Sequence, residues 1–168
     1  MVVNLSVGKG EFDSQYSDLC QLADKAQAIK DELVRAIDAD TEAFNEVIAG
    51  MRMAKDTAEQ VALRSSVIRA GYKSAAEVPL RTAELCRQVL DLCQAAANIG
   101  NEAVMSDAGV GALMALAGVQ GAIHNVRINL PHTKDEAFIT RMQAQLGTLI
   151  TESREICDAI QQQVESGF

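Results

Sequence analysis

Apolar residues recur at steps of three and four through the first third of the chain, which predicts a long helix with one apolar face. The carboxylate of Asp40 falls on that face, where an unpaired charge would cost several kcal/mol. Asp40 therefore needs a hydrogen-bond donor, a neighbouring charge or a chemical task. Asp38 is expected about 200° further around the helix, toward solvent. The face consists of Asp40 and nine residues expected in the core: Leu19, Leu22, Ala26, Ile29, Leu33, Ala36, Ala43, Val47 and Met51.

Three further helices are predicted after the first, because a helix-start signal precedes each apolar pattern. The first helix spans residues 14–53 and the second ends near Ile99, before Gly100 and Asn101. The third ends at about Asn129. The predicted starts are an N-cap at Asp13, a capping box of Asp56 and Glu59, an N-cap at Ser106, and a capping box of Thr133 and Glu136.

The fold class that follows is all-α, because no strand pattern is present. A helix of about 40 residues is roughly 60 Å long, whereas a compact sphere of this chain length is nearer ~40 Å across. We therefore expect an elongated bundle of long antiparallel helices that forms a dimer. Residues 1–168 are expected to be a single domain.

Pro79 lies inside the second predicted helix. Proline lacks the amide hydrogen that would bond to the carbonyl four residues earlier, so the carbonyl of Ala75 should be left free and the helix should kink. Such a kink serves either packing or the lining of a pocket, and the sequence leaves both open.

Very small residues form a stripe along the third helix, and two amides end it. Small side chains let another backbone approach closely, so we expect the glycines to pack against a helix. The two amides belong either to a binding site or to the scaffold. The stripe is Gly111, Ala115, Gly118 and Ala122, followed by Asn125 and Asn129.

Composition and charge exclude several classes of partner. Fifteen basic residues against 23 acidic ones give a net charge of -8, which disfavours binding to nucleic acid or to a membrane surface. No signal peptide is visible, and the apolar run 108–123 is short for a membrane span. Without metal-binding spacing, Cys20, Cys86, Cys93 and Cys157 are expected to be reduced thiols in a cytoplasmic protein, and no metal is expected.

Several known chemistries lack their residues here. Neither His124 nor His132 has a Glu three residues before it, as a carboxylate-bridged di-metal bundle requires, and no phosphate-binding glycine loop is present. What remains is the acid or base Asp40, with amides, the helix start at Ser106 and the cation of Arg127.

Four short motifs carry a resemblance to the cyclodeaminase/cyclohydrolase family. Their order and spacing match from about Asn4 to Phe138. The motifs are Asp38-Ala39-Asp40-Thr41-Glu42-Ala43-Phe44; Val78-Pro79-Leu80 with Thr82-Ala83-Glu84; Gly100-Asn101 with Ser106-Asp107-Ala108-Gly109-Val110; and Gly121-Ala122 with Asn125-Val126-Arg127-Ile128-Asn129-Leu130.

This resemblance implies an all-helical homodimer that binds a tetrahydrofolate derivative as substrate at or near the subunit interface. It implies that Asp40, the second Asp of its motif, is catalytic. Asn125 and Asn129 are assigned to the pterin or amide edge of the folate, and Arg127 or Lys9 to its glutamate carboxylate. Ser106 and Asp107, at a helix start, are further candidates for substrate binding.

The reaction implied is that of a methenyltetrahydrofolate cyclohydrolase or a formimidoyltetrahydrofolate cyclodeaminase. On the apolar face the pKa of Asp40 is expected to be biased upward, toward the range useful for proton transfer. Members of the family usually begin with a glycine-rich turn and a first helix, whereas this chain starts at the segment that follows them. The alternative is therefore a truncated, non-catalytic helical dimer that binds folate or a partner protein.

Overall fold

A computed structural model describes residues 2–6, 10–99 and 104–167, without the side chains of residues 2, 4 and 11–13. All the regular elements in these ranges are helical, which confirms the all-α class. The predicted cap Asp13 and the predicted ligand Lys9 lie outside the described side chains. The elements are α1 (Val2–Ser6), a 3-10 helix (Gly10–Gln15), α2 (Tyr16–Met51), α3 (Ala58–Asn98), α4 (Met105–Thr133) and α5 (Glu136–Glu165).

The main core lies among α3, α4 and α5. Burying apolar side chains there stabilises the fold by about 25 cal/mol per Å² of apolar surface removed from water. Two clusters of buried residues fill it. One contains Ala76, Ala83, Cys86, Val119, Ala122, Ile123, Val126, Leu130, Phe138, Met142 and Leu146, and the other Leu90, Ala112, Ala115, Cys157, Ile160 and Val164.

The small-residue stripe of α4 packs within the chain, against α3. A Cβ added at Gly118 would lie 2.7 Å from Cys86 Sγ, and one added at Gly111 would lie 3.1 Å from Cys93 Sγ. Ala115 and Ala122 are buried. The expectation that the stripe packs closely against a helix is confirmed, and the contacts proceed in opposite directions along the two helices.

The other long helix, α2, is attached to α3 by a smaller cluster. Ala43 and Val47 are buried with Ala75 of α3. The backbones come close there, because a Cβ at Gly71 would be 3.1 Å from the Val47 backbone nitrogen. Toward the start of α2 the predicted core residue Ala26 is exposed. Leu19 and Ile29, on either side of it in sequence, are buried, so the first half of α2 is only partly covered by its own chain.

The start of α3 is one residue later than predicted. Thr57, not Asp56, is the N-cap: its Oγ1 accepts from the Gln60 backbone N–H at 3.2 Å, and Gln60 Oε1 accepts from the Thr57 N–H at 3.3 Å. A capping box can use Thr with Gln as well as Asp with Glu, and the two frames differ by one residue.

Two other predicted caps are wrong. Ser106 lies inside the first turn of α4, which begins one residue earlier at Met105, so its hydroxyl is not the N-cap. Asp135 caps α5 by accepting from the Phe138 N–H at 3.0 Å. Thr133 is buried at the end of α4 and donates from Oγ1 to the Leu130 carbonyl at 2.7 Å, so it belongs to the preceding helix.

One helix among the described residues, α4, is long and apolar enough to cross a membrane. The helix of a soluble core can meet the same criterion of length and composition. Buried residues recur along α4 from Ala108 to Thr133, where α3 and α5 pack against it.

Candidate functional site

Asp40 is exposed in the single chain, so the prediction that its own chain buries it is wrong. The helical phase was right, since Leu33 and Val47, seven residues before and after it, are half-buried and buried. At the level of Asp40, however, the described residues leave this side of α2 uncovered. Asp38 is exposed, as predicted.

Asp40 borders an exposed apolar surface. The sequence pattern had singled out only Met51 of its members, as a core residue, and that expectation is wrong because Met51 is 43% exposed. Ile37 is 67% exposed and Phe44 is 55% exposed. They lie three residues before and four residues after Asp40, so all three side chains project from neighbouring turns of one side of α2. We call this surface the α2 stripe; it comprises Val34, Ile37, Phe44 and Met51, all exposed.

An apolar surface of the same kind runs along α4. Its members, the α4 stripe, are Val110, Leu113, Met114 and Ile128, with exposures of 51–70%. Asn125, also exposed, lies three residues before Ile128 and borders this stripe as Asp40 borders the other. Each of two predicted site residues thus stands at the edge of an exposed apolar surface.

Asn129 is used by the scaffold. Its Nδ2 donates to the Ala75 carbonyl at 2.8 Å and to the Asn125 carbonyl at 3.0 Å. The carbonyl that Pro79 deprives of its usual helical donor thus receives one from α4. α3 continues through Pro79 to Asn98.

The structure groups Asp40 with the two Asn residues and separates them from the start of α4. Ala43, close to Asp40, and Asn129 both contact Ala75 of α3. Ser106 precedes Asn125 by 19 residues, which is roughly 28 Å along the helix. One end of the molecule thus holds Asp40, Asn125 and Asn129, while the other end holds Ser106 and Asp107.

The Asp107 end lines a groove of about 390 Å³ between α2, α3 and α4. Lys30 of α2 lines it as well, together with Leu33 and Cys93. Sequence reasoning missed Lys30, because an isolated lysine on an amphipathic helix gives no signal of a site. A larger groove of about 710 Å³, between α2 and the second half of α3, contains none of the predicted site residues.

Arg127 is exposed on α4 and lines a groove with Lys134 and Glu136. It lies 21 residues beyond Ser106, or roughly 31 Å along the helix. Arg127 and the helix start at Ser106, which could hold the same anion, therefore cannot both bind the glutamate carboxylate within one chain. The third candidate, Lys9, lies outside the described residues.

The cysteines are free thiols, and three of them lie in the core region. Burial raises the pKa of the Cys93 thiol to about 11, with a further contribution from Cys157, and it raises the pKa of Cys86 and Cys157 as well. A higher pKa leaves less thiolate at neutral pH, so these residues pack as small apolar side chains. In the part of the chain that the structure describes, no three His, Cys, Asp or Glu residues cluster so as to hold a metal ion.

Fold and site together define a class: an all-helical protein in which a carboxylate and amides border apolar surfaces on two long helices. The family model for formiminotransferase-cyclodeaminase matches residues 1–148. A methenyltetrahydrofolate cyclohydrolase of Methylorubrum extorquens is 36% identical over 99% of this chain and 80% of its own length. A formimidoyltransferase-cyclodeaminase of Gallus gallus is 34% identical over 92% of this chain and 29% of its own length.

The chain belongs to the formiminotransferase-cyclodeaminase family. The crystal structure of a formiminotetrahydrofolate cyclodeaminase from Thermotoga maritima superimposes with a TM-score of 0.86 and covers 99% of this chain, at 20% identity. This likeness shows that the helical fold is shared. The family match and the relatives confirm the resemblance seen in the sequence motifs at the level of the family.

Proposed function

We propose that this chain is a folate one-carbon enzyme that acts on the carbon bridging N5 and N10 of tetrahydrofolate, as a methenyltetrahydrofolate cyclohydrolase or a formimidoyltetrahydrofolate cyclodeaminase. The family membership and the names of two relatives support the substrate class. The position of Asp40 beside the α2 stripe is the observation that supports its role as general acid/base.

Both reactions pass through a tetrahedral carbon bonded to N5 and N10. In the cyclohydrolase direction water adds to the bridging carbon and loses a proton. One carbon–nitrogen bond then breaks as that nitrogen gains a proton, while the new hydroxyl loses its own proton and becomes the formyl carbonyl. In the deaminase N10 adds to the formimidoyl carbon and loses its proton, and the amino group gains a proton and leaves as ammonia. A single carboxyl can accept the first proton and return the second, which is the role proposed for Asp40.

A homodimer of antiparallel bundles is part of this proposal. Exposed apolar patches larger than a few hundred Å² mark interaction sites on soluble proteins, and α2 and α4 both carry exposed apolar stripes. A second copy on the α2 stripe would remove water from around Asp40. A two-fold axis would also allow the Ser106 end of one copy to approach the Asp40 end of the other.

The decisive experiment compares Asp40→Asn with the matched control Asp38→Asn. We expect wild-type protein to turn over methenyltetrahydrofolate or formimidoyltetrahydrofolate, and Asp40→Asn to lose at least ~10²-fold in rate. Asp38→Asn should stay near wild type, because its side chain lies about 200° around the helix from that of Asp40. Circular dichroism checks that both variants are folded.

The outcomes separate the two hypotheses. A folded Asp40→Asn that keeps the wild-type rate, or equal losses at both positions, would contradict the role of Asp40. Wild-type protein that binds folate but converts neither substrate would favour the alternative, a non-catalytic helical dimer.

A further inference from the structure

We propose that Asn129 is a positioning residue, which fixes α4 on α3 through the carbonyl that Pro79 frees and so sets Asp40 and Asn125 relative to each other. The inference rests on the proposed function for its catalytic consequence. It changes the role given to Asn129 by the resemblance, from binding substrate to holding the residues that do.

The carbonyl of Ala75 needs a donor from outside its helix. In an unbroken α-helix it would accept from the amide of residue 79, which in Pro79 has no hydrogen. Ala75 is 5% exposed and Pro79 is buried, so water has little access to this point. Leaving a buried carbonyl without a donor is destabilising, which gives the site a strong preference for a side chain that can donate.

The amide nitrogen of Asn129 supplies that donor, and both of its hydrogens are used. Its nitrogen carries two hydrogens, and the structure gives it two acceptors, the carbonyls of Ala75 and Asn125. No donor remains on this amide for a folate. The second bond, to a carbonyl one turn earlier, orients the amide toward α3.

Ala75 connects this bond to α2. Its side chain is buried with Ala43 and Val47, so one residue of α3 contacts α2 through its methyl group and α4 through its carbonyl. Asp40 precedes Ala43 by three residues, and Asn125 precedes Asn129 by four. Each proposed site residue is therefore within about one helical turn of a contact made by Ala75.

The test is a double-mutant cycle of Asn129→Ala and Pro79→Ala, measured on the full-length protein. Pro79→Ala restores a helical amide that can donate to the Ala75 carbonyl, so each single change weakens the link that depends on Asn129. We expect each to lower kcat by about 10- to 100-fold, and the double variant to be no slower than the slower single one. A residue that bound substrate by itself would instead give rate losses that multiply.

Gln163→Ala is the matched control. Gln163 Nε2 donates to the Ala97 carbonyl at 3.2 Å, a bond of the same kind between α5 and α3, and neither residue is among the proposed site residues. We expect it to destabilise the fold while leaving kcat within about twofold of wild type. Rate losses that multiply between positions 79 and 129, or a loss with Gln163→Ala equal to that of Asn129→Ala, would overturn the proposal.

Urea unfolding of the same variants tests the link between Asn129 and Ala75 without relying on catalysis. Asn129→Ala should lower the midpoint less in the Pro79→Ala background than in wild type, because the restored amide then satisfies the Ala75 carbonyl. Equal shifts in both backgrounds would also overturn the proposal. A wild-type protein inactive on both substrates would refute the proposed function, and the urea cycle would still decide whether the link exists.

Discussion

At the residue scale, Asp40 and Asp135 are two carboxylates in contrasting surroundings. Asp40 borders an apolar stripe and has no ion pair among the residues that the structure describes, whereas Asp135 accepts from Lys73 Nζ at 2.6 Å and from the Phe138 N–H at 3.0 Å. These two donors, the lysine first, hold the pKa of Asp135 below its usual value of 3.8. A carboxylate held in this way is structural, which separates it from one that must exchange protons.

Asp135→Asn should destabilise the protein at neutral pH and much less in acid. A carboxyl with a lowered folded-state pKa contributes its full stability above the unfolded pKa of 3.8, and it loses this contribution as the pH falls through the folded pKa. Urea midpoints at pH 7 and pH 3 measure the effect, with Glu136→Gln, an exposed acid next in sequence, as control. A difference between wild type and Asp135→Asn that is the same at both pH values would contradict the argument.

At the element scale, the close approach of α4 to α3 explains why α4 is rich in glycine. Two of its glycines face cysteine sulfurs of α3. A side chain at either position would force the helices apart or the thiol to rotate. These small residues pack inside the chain, against α3, and are therefore not available as a docking surface for another subunit.

Gly118→Ala should therefore lower stability by ~1–3 kcal/mol, since its Cβ would lie 2.7 Å from Cys86 Sγ. Gly147→Ala on α5 is the matched control: nothing lies within 4 Å of the added Cβ. There the same change should stabilise by about 0.5–1 kcal/mol through helix propensity. Chemical denaturation compares them, and adding Cys86→Ala to Gly118→Ala should recover part of the loss. Equal effects of the two glycine substitutions would show that the contact is not tight.

At the scale of the whole molecule, one side of α2 and one side of α4 are left apolar and exposed. The remaining long helix, α5, packs against α3 and α4 in the two core clusters. The stripes therefore have no partner left among the described helices, and a second copy of the chain is the occupant that the family resemblance implies.

We expect the protein to sediment at twice its chain mass of 18.0 kDa at micromolar concentration. Ile37→Asp should shift it toward monomer, because a charge would be buried in the apolar contact at a cost of several kcal/mol. Ala159→Asp, at an exposed position of α5, adds the same charge away from the stripes and should remain dimeric. A wild type that sediments as a clean 18.0 kDa monomer would refute the dimer.

The sequence alone determined the properties that depend on neighbours along the chain. Apolar periodicity predicted the all-helical class, and proline chemistry predicted the free carbonyl of Ala75. Helix starts were less certain: several residues able to cap lie side by side, and at Thr57 and Asp135 the caps differ from the predicted residues.

Only the tertiary structure decided what covers each face. The periodicity that placed Asp40 beside Leu33 and Val47 says nothing of what lies opposite, and α2 proved to be covered by α3 on one side only. The bond from Asn129 to Ala75 joins residues 54 positions apart, so the sequence left its amide equally suited to a site or a scaffold. Long-range contacts of this kind depend on how whole helices dock, and that is the information a one-dimensional pattern lacks.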